Sequence, residues 1–155
     1  MTIQPAELSD LDAVRTLFRE YADSLQVDLC FQNFEQELAT LPGKYAPPQG
    51  RLLLAKQGDE TAGCVALRPY HDDVCEMKRL FVRPAFRGIG LGHDLAVRII
   101  AEARQAGYRE MVLDSLDRLH PALALYQALG FFETPAYYPN PLPGVVYRRL
   151  RLKDG

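Results

Sequence analysis

The sequence has few cysteines and no pattern that would join them into a structural framework. Its three cysteines, Cys30, Cys64 and Cys75, are an odd number without C-x-x-C spacing and without a His/Cys cluster beside them. Such a set indicates neither a disulfide framework nor a zinc site. We therefore expect reduced, mostly buried thiols and no bound metal.

An excess of charge of one sign is also lacking, and so is any long apolar run. A formal net charge of −2 gives no general attraction for nucleic acid or for an anionic membrane. No apolar run approaches the length of a membrane span, and the first residues lack the basic and then apolar pattern of a secretion signal. We expect a cytoplasmic protein whose partners are small molecules or peptides.

What the sequence does contain is the composition of an ordinary soluble domain. Of its 155 residues, 48% are hydrophobic and 25% are charged. A chain of this length can bury a core without disulfides or metal, and it matches the common size of one domain. We therefore predict a single domain over residues 1–155.

The N-terminal part of the sequence predicts two helices. Ser9 with Asp12 three positions later resembles a capping box, and apolar residues then recur at helical spacing as far as Leu25. A second, shorter helix is predicted from Phe31 to Leu41, closed by Pro42-Gly43.

The rest of the sequence alternates between strand and helix patterns, separated by turn signals. Strands are predicted at 2–5, 51–56, 61–70, 74–82, 109–114, 131–133 and 145–152, and helices at 91–106 and 121–129. Antiparallel strands followed by a strand-helix-strand crossover give an α/β fold with a mixed, mostly antiparallel sheet, flanked by about four helices.

The run Arg87-Gly88-Ile89-Gly90-Leu91-Gly92 stands between a predicted strand and a predicted helix. Successive backbone N–H groups in such a loop can point at an anion, and the helix N-terminus adds its positive dipole end. Glycines allow the backbone to come close, and Arg87 adds a formal charge. The run therefore predicts a phosphate or diphosphate site, although a glycine-rich turn that only joins strand to helix is the alternative.

Two named nucleotide loops compete for the same glycines. A P-loop needs a Lys-Ser or Lys-Thr pair after its last glycine, and no such pair follows here. A dinucleotide fingerprint needs a third glycine where His93 stands, and Asp114 after the next strand gives that interpretation its remaining support.

The arrangement of residues 80–92 resembles the cofactor motif of the GNAT superfamily of N-acetyltransferases. Arg-x-x-Gly-x-Gly at 87–92 is entered from Leu80-Phe81-Val82-Arg83-Pro84, and Tyr126 with Gly130-Phe131 resembles that family's later helix. The resemblance implies a sheet that splays between its fourth and fifth strands, with acetyl-CoA bound in the splay and no metal. It also implies a set of cofactor contacts: Leu80, Phe81, Val82, Arg87, Gly88, Ile89, Gly90, Leu91, Gly92 and His93.

One position departs from the family pattern. Many members carry Asn seven residues before the tyrosine, where this chain has Leu119. A side-chain contact to the cofactor arm is lost there, and Ser115 is the candidate to replace it.

The resemblance also implies two catalytic residues, Glu76 as general base, directly or through a water, and Tyr126 as general acid toward the departing thiolate. The alternatives are a glutamate paired with Lys78 or Arg79 or held structurally, and a core tyrosine with a satisfied hydroxyl. Cys75 is expected on the opposite face of the strand from Glu76, so we expect direct transfer in a ternary complex.

Residues 21–34 and 134–144 correspond to the parts that form acceptor pockets in the resembling family. Tyr137 and Tyr138, between prolines, can wall a pocket or pack across a homodimer interface. Three acidic side chains could attract a cationic amine or could simply be solvated: Asp23, Asp28 and Glu35.

The sequence thus favours an acetyl-CoA-dependent N-acetyltransferase that acts on a primary amine of a small molecule, amino acid or peptide. A catalytically silent acyl-CoA-binding or sensor module is the second hypothesis, supported by Leu119. A nucleotide-binding module is the third.

Overall fold

The computed structural model describes residues 1–26, 29 and 33–153 and shows the predicted α/β fold. A seven-stranded sheet has the order β1-β2-β3-β4-β5-β7-β6. Its strands are β1 (Thr2–Pro5), β2 (Arg51–Gln57), β3 (Glu60–His71), β4 (Val74–Val82), β5 (Glu110–Leu116), β6 (Phe132–Glu133) and β7 (Val145–Arg151). The described helices are α1 (Leu11–Leu25), α2 (Phe34–Ala39), α3 (Leu91–Gln105) and α4 (His120–Ala128).

The sheet is antiparallel throughout except between β4 and β5, which run parallel. The ladder between these two strands joins residues 74–76 to residues 110–112 and, among the described residues, ends there. Both strands continue beyond it, β4 to Val82 and β5 to Leu116. The two strands therefore diverge, and the predicted splay is confirmed.

The two faces of the sheet bury two separate cores. Helix α3 covers one face, where Leu95 and Ile99 pack with Met77 and Met111. Helices α1 and α2 cover the other face, where Phe18 is among the buried residues. Because side chains alternate along a strand, each face of β4 and β5 carries its own set of residues.

A bulge in β4 changes that alternation at Arg79. Arg79 has φ +63°, and the register with β3 shifts between the pair Ala66–Lys78 and the pair Cys64–Phe81. An extra residue at a bulge turns the side chains that follow it. Lys78 and Arg79 consequently both lie on the α1 and α2 face of the sheet.

Two details of the N-terminal prediction are wrong. The capping pair is not Ser9 with Asp12; Asp10 accepts a hydrogen bond from the backbone N–H of Glu7 at 2.8 Å and contacts Lys56 Nζ at 2.7 Å. Helix α2 ends at Ala39, before the predicted stop at Pro42: Thr40 leaves the helical conformation with φ −109° and ψ 11°, and a separate 3-10 turn follows at Gly43–Tyr45.

Some predictions fall on residues outside the described part of the chain: Asp28, Cys30 and Phe31. Cys64 and Cys75 are buried and free, and burial raises the pKa of each thiol to about 12. Within the described residues, no helix is long and apolar enough to cross a membrane.

Candidate active site

A cavity of about 610 Å³ lies where β4 and β5 diverge. Its walls come from both strands, the 84–92 segment, α4, the C-terminal end of α1 and the segment between β6 and β7. This volume is typical of small-molecule sites. The splay is therefore a binding cleft, and its two halves differ in chemistry.

The glycine-loop half is lined by Tyr126 and by residues 80–82, 86–88 and 90–92. Gly88 and Gly90 have φ +84° and +82°, a backbone conformation that glycine adopts without a steric penalty. Among the described residues, no atom lies within 4 Å of where a Cβ on either glycine would stand. Gly90 precedes α3, whose first N–H groups have no partner within the helix, so an anion placed here would meet donors and the positive dipole end.

Arg87 lies beside this loop on the surface. Its Nε donates to the carbonyl oxygen of Val82 at 3.0 Å, and its guanidinium stands 6.0 Å from the centre of the Phe81 ring. Two further predicted contacts, Ile89 and His93, are exposed and do not line the cavity, and His93 Nδ1 instead stands 3.6 Å from Asp94.

The β4 backbone forms one wall of the glycine-loop half. Leu80, Phe81 and Val82 all line the cavity, beyond the last residue that pairs with β5. A strand edge of this kind offers alternating N–H and C=O groups to an extended ligand. On β5, the predicted Ser115 also lines the cavity, and Leu119 lines it near the start of α4.

Tyr126 lies on α4, and its side chain lines the cavity from the α3 side. Its ring packs edge-on against Phe131, with the ring centres 5.6 Å apart. Burial, together with nearby Tyr21 and Asp114, raises the pKa of the Tyr126 hydroxyl. The group therefore keeps its proton at neutral pH, as a proton donor must.

Glu76 is 2% exposed and does not itself line the cavity. Its carboxylate accepts a hydrogen bond from Arg68 Nε at 2.9 Å and from the Tyr137 hydroxyl at 2.5 Å. The sequence-based alternative named Lys78 or Arg79 as its ion-pair partner, and that detail is wrong because Arg68 on β3 stands directly opposite Glu76 in the register.

The charged half of the cavity consists of Lys78, Arg79, Asp114 and Asn140 on the α1 and α2 side. Arg79 is 3% exposed, and its guanidinium forms two hydrogen bonds to Glu37, at 3.0 and 3.1 Å. The Asp114 carboxylate accepts from the Tyr138 hydroxyl and from Asn140 Nδ2, the latter at 2.9 Å.

The tyrosine pair predicted to wall a pocket faces inward onto the sheet. Tyr137 and Tyr138 bind Glu76 and Asp114 respectively, and both rings pack against Tyr147. They therefore hold the segment between β6 and β7 in place, while Asn140 and Leu142 from that segment reach the cavity. Of the proposed acidic attractants, Asp23 is exposed, and Glu35 pairs with Arg19 at 3.0 Å on the surface.

Sequence reasoning did not identify Lys78 and Arg79 as residues of the site. It mentioned both only as partners of Glu76, because a regular strand would place them on opposite faces. The available signal was three charged residues within four positions, Glu76, Lys78 and Arg79, inside an otherwise apolar strand.

Comparisons with known proteins agree with this geometry. The model of the acetyltransferase (GNAT) family matches residues 11–131. An uncharacterized N-acetyltransferase of Schizosaccharomyces pombe is 48% identical over 145 residues, which cover 92% of this chain and 89% of that protein.

Two solved structures share the fold. A GNAT-family acetyltransferase of Staphylococcus aureus gives a TM-score of 0.81 at 18% identity, over 98% of this chain and 99% of that one. An acetyltransferase of Salmonella typhimurium, solved with its cofactor acetyl-CoA, gives 0.75 at 21% identity, over 100% of this chain and 95% of that one.

Proposed function

This chain belongs to the acetyltransferase (GNAT) family, and from that premise we propose that it transfers an acetyl group from acetyl-CoA to a primary amine. One observation carries the proposal: the glycine loop at the start of α3 and the Tyr126 side chain open onto the same cavity. One cleft can therefore bind a diphosphate at the glycine loop and donate a proton to a leaving thiolate at Tyr126. Transfer is direct, with both substrates bound together.

The donor fits the glycine-loop half. Backbone N–H groups between Gly88 and His93, with Arg87 released from Val82, would bind the diphosphate, and Ile89 contributes through its backbone alone because its side chain is exposed. The free edge of β4 at Leu80–Val82 would pair with the pantetheine arm as an added strand. Ser115 would supply the side-chain contact that Leu119 cannot make.

The bound donor supplies a thioester whose carbonyl an amine can attack. In the proposed reaction, the Tyr126 hydroxyl gives its proton to the sulfur as the thiolate leaves, which makes the thiolate a better leaving group. A backbone N–H near Leu80 would hold the negative charge that develops on the carbonyl oxygen.

Glu76 is the proposed acceptor of the amine proton. Since the Glu76 carboxylate does not itself line the cavity, the amine proton would reach it through a water. The competing role is positional: Glu76 would only hold Tyr137, and with it the segment between β6 and β7.

Two variants separate these roles. If Glu76 accepts the proton, Glu76→Gln lowers kcat by about 100-fold, whereas Tyr137→Phe, which keeps the carboxylate, lowers kcat far less. If Glu76 only positions the segment, both variants raise KM for the amine to a similar extent and leave kcat nearly unchanged. Circular dichroism and CoA affinity check that both variants are folded.

A thiol-release assay with acetyl-CoA and a panel of primary amines tests the function. Turnover of at least one amine is expected, and tight acetyl-CoA binding without turnover of any amine would favour the silent sensor, for which Leu119 on the cavity wall is the supporting observation. Calorimetry with acetyl-CoA, NAD and ATP tests the nucleotide hypothesis, and preferential binding of NAD would overturn the proposal.

Other expectations stay predictions of the sequence. These are the cytoplasmic location, the single domain over 1–155, the lack of metal, nucleic-acid and membrane partners, and a homodimer through the tyrosine segment. Size-exclusion chromatography with light scattering measures the last of these directly.

A further inference from the structure

Lys78 is a buried cation in the charged half of the cavity. It is 5% exposed and lines the cavity from β4. Taking a lysine ammonium out of water is unfavourable, and proteins retain such a group where a partner or a function requires it. Nothing in the proposed acetyl transfer described above uses Lys78.

The other charges of the charged half already have partners of their own. Arg79 is held by Glu37 through two hydrogen bonds, and Asp114 accepts hydrogen bonds from Tyr138 and Asn140. Lys78 also has a contact within the protein. Its ammonium carries three N–H donors, so it can keep a protein contact and still bind an anion.

The electrostatic surroundings of Lys78 favour binding of an anion. Burial, with Arg79 beside it, lowers the pKa of Lys78 to about 8, although Glu76 and Asp114 act in the opposite direction. Arg68 also lowers the pKa of Lys78. A ligand carboxylate beside the ammonium would add a favourable charge interaction in this buried part of the cavity.

We propose that Lys78 binds a carboxylate of the acceptor, so that the preferred substrates of this chain are free amino acids rather than simple amines. The inference rests on the proposed function and names the substrate class of the same site. Lys78 and Leu80 lie two positions apart on β4 and both line the cavity, so one acceptor molecule can present a carboxylate to Lys78 and its amine near Leu80.

Matched pairs of acceptors that differ only by the carboxylate test this proposal. Suitable pairs are leucine with isopentylamine, phenylalanine with phenethylamine, and lysine with cadaverine. The wild-type chain should show about 10- to 100-fold higher kcat/KM for the better carboxylate-bearing acceptors than for their decarboxylated partners, because a site built for a charge-assisted hydrogen bond discriminates to this extent.

The Lys78→Met variant removes the charge but keeps a side chain of similar length. In this variant the ratio of kcat/KM within each pair should fall toward unity. Lys44→Met is the matched control, since Lys44 is exposed and lies outside the cavity, and it should keep the wild-type ratio. A ratio near unity in the wild-type chain, or an unchanged ratio in Lys78→Met, would overturn the proposal.

A binding experiment separates this inference from the proposed function. N-acetylleucine and N-isopentylacetamide are titrated into the chain saturated with CoA, which requires no turnover. Tighter binding of the carboxylate-bearing compound, lost in Lys78→Met but not in Lys44→Met, is expected. Equal binding of the two compounds to the wild-type chain, or acetylation of Lys78 itself detected by mass spectrometry, would contradict the inference, since an acetylated lysine carries no charge.

Discussion

The two halves of the cavity are built in different ways. Apart from Tyr126, the glycine-loop half comes from one continuous stretch, residues 80–92, and its chemistry is mostly that of backbone N–H and C=O groups. The charged half is assembled from distant segments: Arg79 meets Glu37 from α2, and Asp114 meets Tyr138 from the segment between β6 and β7. A local motif therefore builds the first half, and the tertiary fold builds the second.

Because the two halves are built differently, substitutions in the glycine-loop half should change ligand affinity, and substitutions in the charged half should also change stability. Of the loop glycines, Gly92 lacks the positive φ of Gly88 and Gly90, so a side chain there should alter ligand affinity and leave stability nearly intact. The ion pair of Arg79 in the charged half, with Glu37, is largely buried, so changes there should alter the free energy of unfolding as well. The following substitutions probe this contrast, beginning with the largest expected effect.

Removing the partner of Arg79 should destabilise the whole fold. Glu37→Gln leaves a guanidinium that is 3% exposed without a counter-ion, and we expect the free energy of unfolding to fall by about 3 kcal/mol. Urea denaturation measures this loss. Glu35→Gln on the same helix is the control: its pair with Arg19 is exposed, and no measurable change is expected. Equal losses of stability in the two variants would show that the buried Arg79–Glu37 pair matters no more to stability than an exposed pair.

Removing the Tyr126 hydroxyl should affect the chemical step alone. In Tyr126→Phe the ring can still pack against Phe131, while the proposed proton donor is lost. We expect kcat to fall by about 100-fold with CoA affinity changed less than twofold, as measured by steady-state kinetics and calorimetry. A fall in kcat of less than threefold would exclude Tyr126 as the general acid.

Filling the glycine loop should weaken CoA binding without unfolding the chain. A Cβ at Gly92 would stand 3.8 Å from Val82 Cγ2, an ordinary contact, so Gly92→Val should fold and yet crowd the diphosphate. CoA affinity is expected to fall by about 10- to 100-fold in calorimetry, through loss of charge-assisted hydrogen bonds. Ala101→Val on the exposed face of α3 is the control. Gly90 is less suitable, since its φ of +82° adds backbone strain to any substitution.

Neutralising Lys78 should stabilise the fold in a pH-dependent way. Its pKa of about 8 in the folded chain lies below the ordinary value of 10.5, so the cost of the buried charge is fully present below pH 8 and disappears as the pH rises toward 10.5. Lys78→Met should therefore raise the free energy of unfolding by roughly 1–2 kcal/mol at pH 7 and by less at pH 10. A destabilised variant at pH 7 would show that the charge is already compensated within the protein.

Much of the fold follows from periodicity and turn residues. Strand β4 was predicted with its observed bounds, and α3 and β7 within one residue. These elements have strong alternation or helical spacing and a glycine or proline close to one end, Pro84 after β4, Gly107 after α3 and Gly144 before β7, so local signals agree with the final structure. The N-terminal capping pair was misassigned: the capping box is formed by Glu7 with Asp10 at the 3-10 turn Leu8–Asp10 that precedes α1, and Asp10 also binds Lys56 on β2.

The sequence by itself determined the glycine loop, the helix that follows it and the position of Tyr126 on α4, because these depend on residues a few positions apart. Only the tertiary structure decided that Glu76 binds Arg68 and Tyr137, and that the bulge at Arg79 places Lys78 and Arg79 on one face. Those contacts join residues from separate strands and loops. Their geometry depends on the register between strands and on how distant segments pack together, and no short stretch of sequence encodes either.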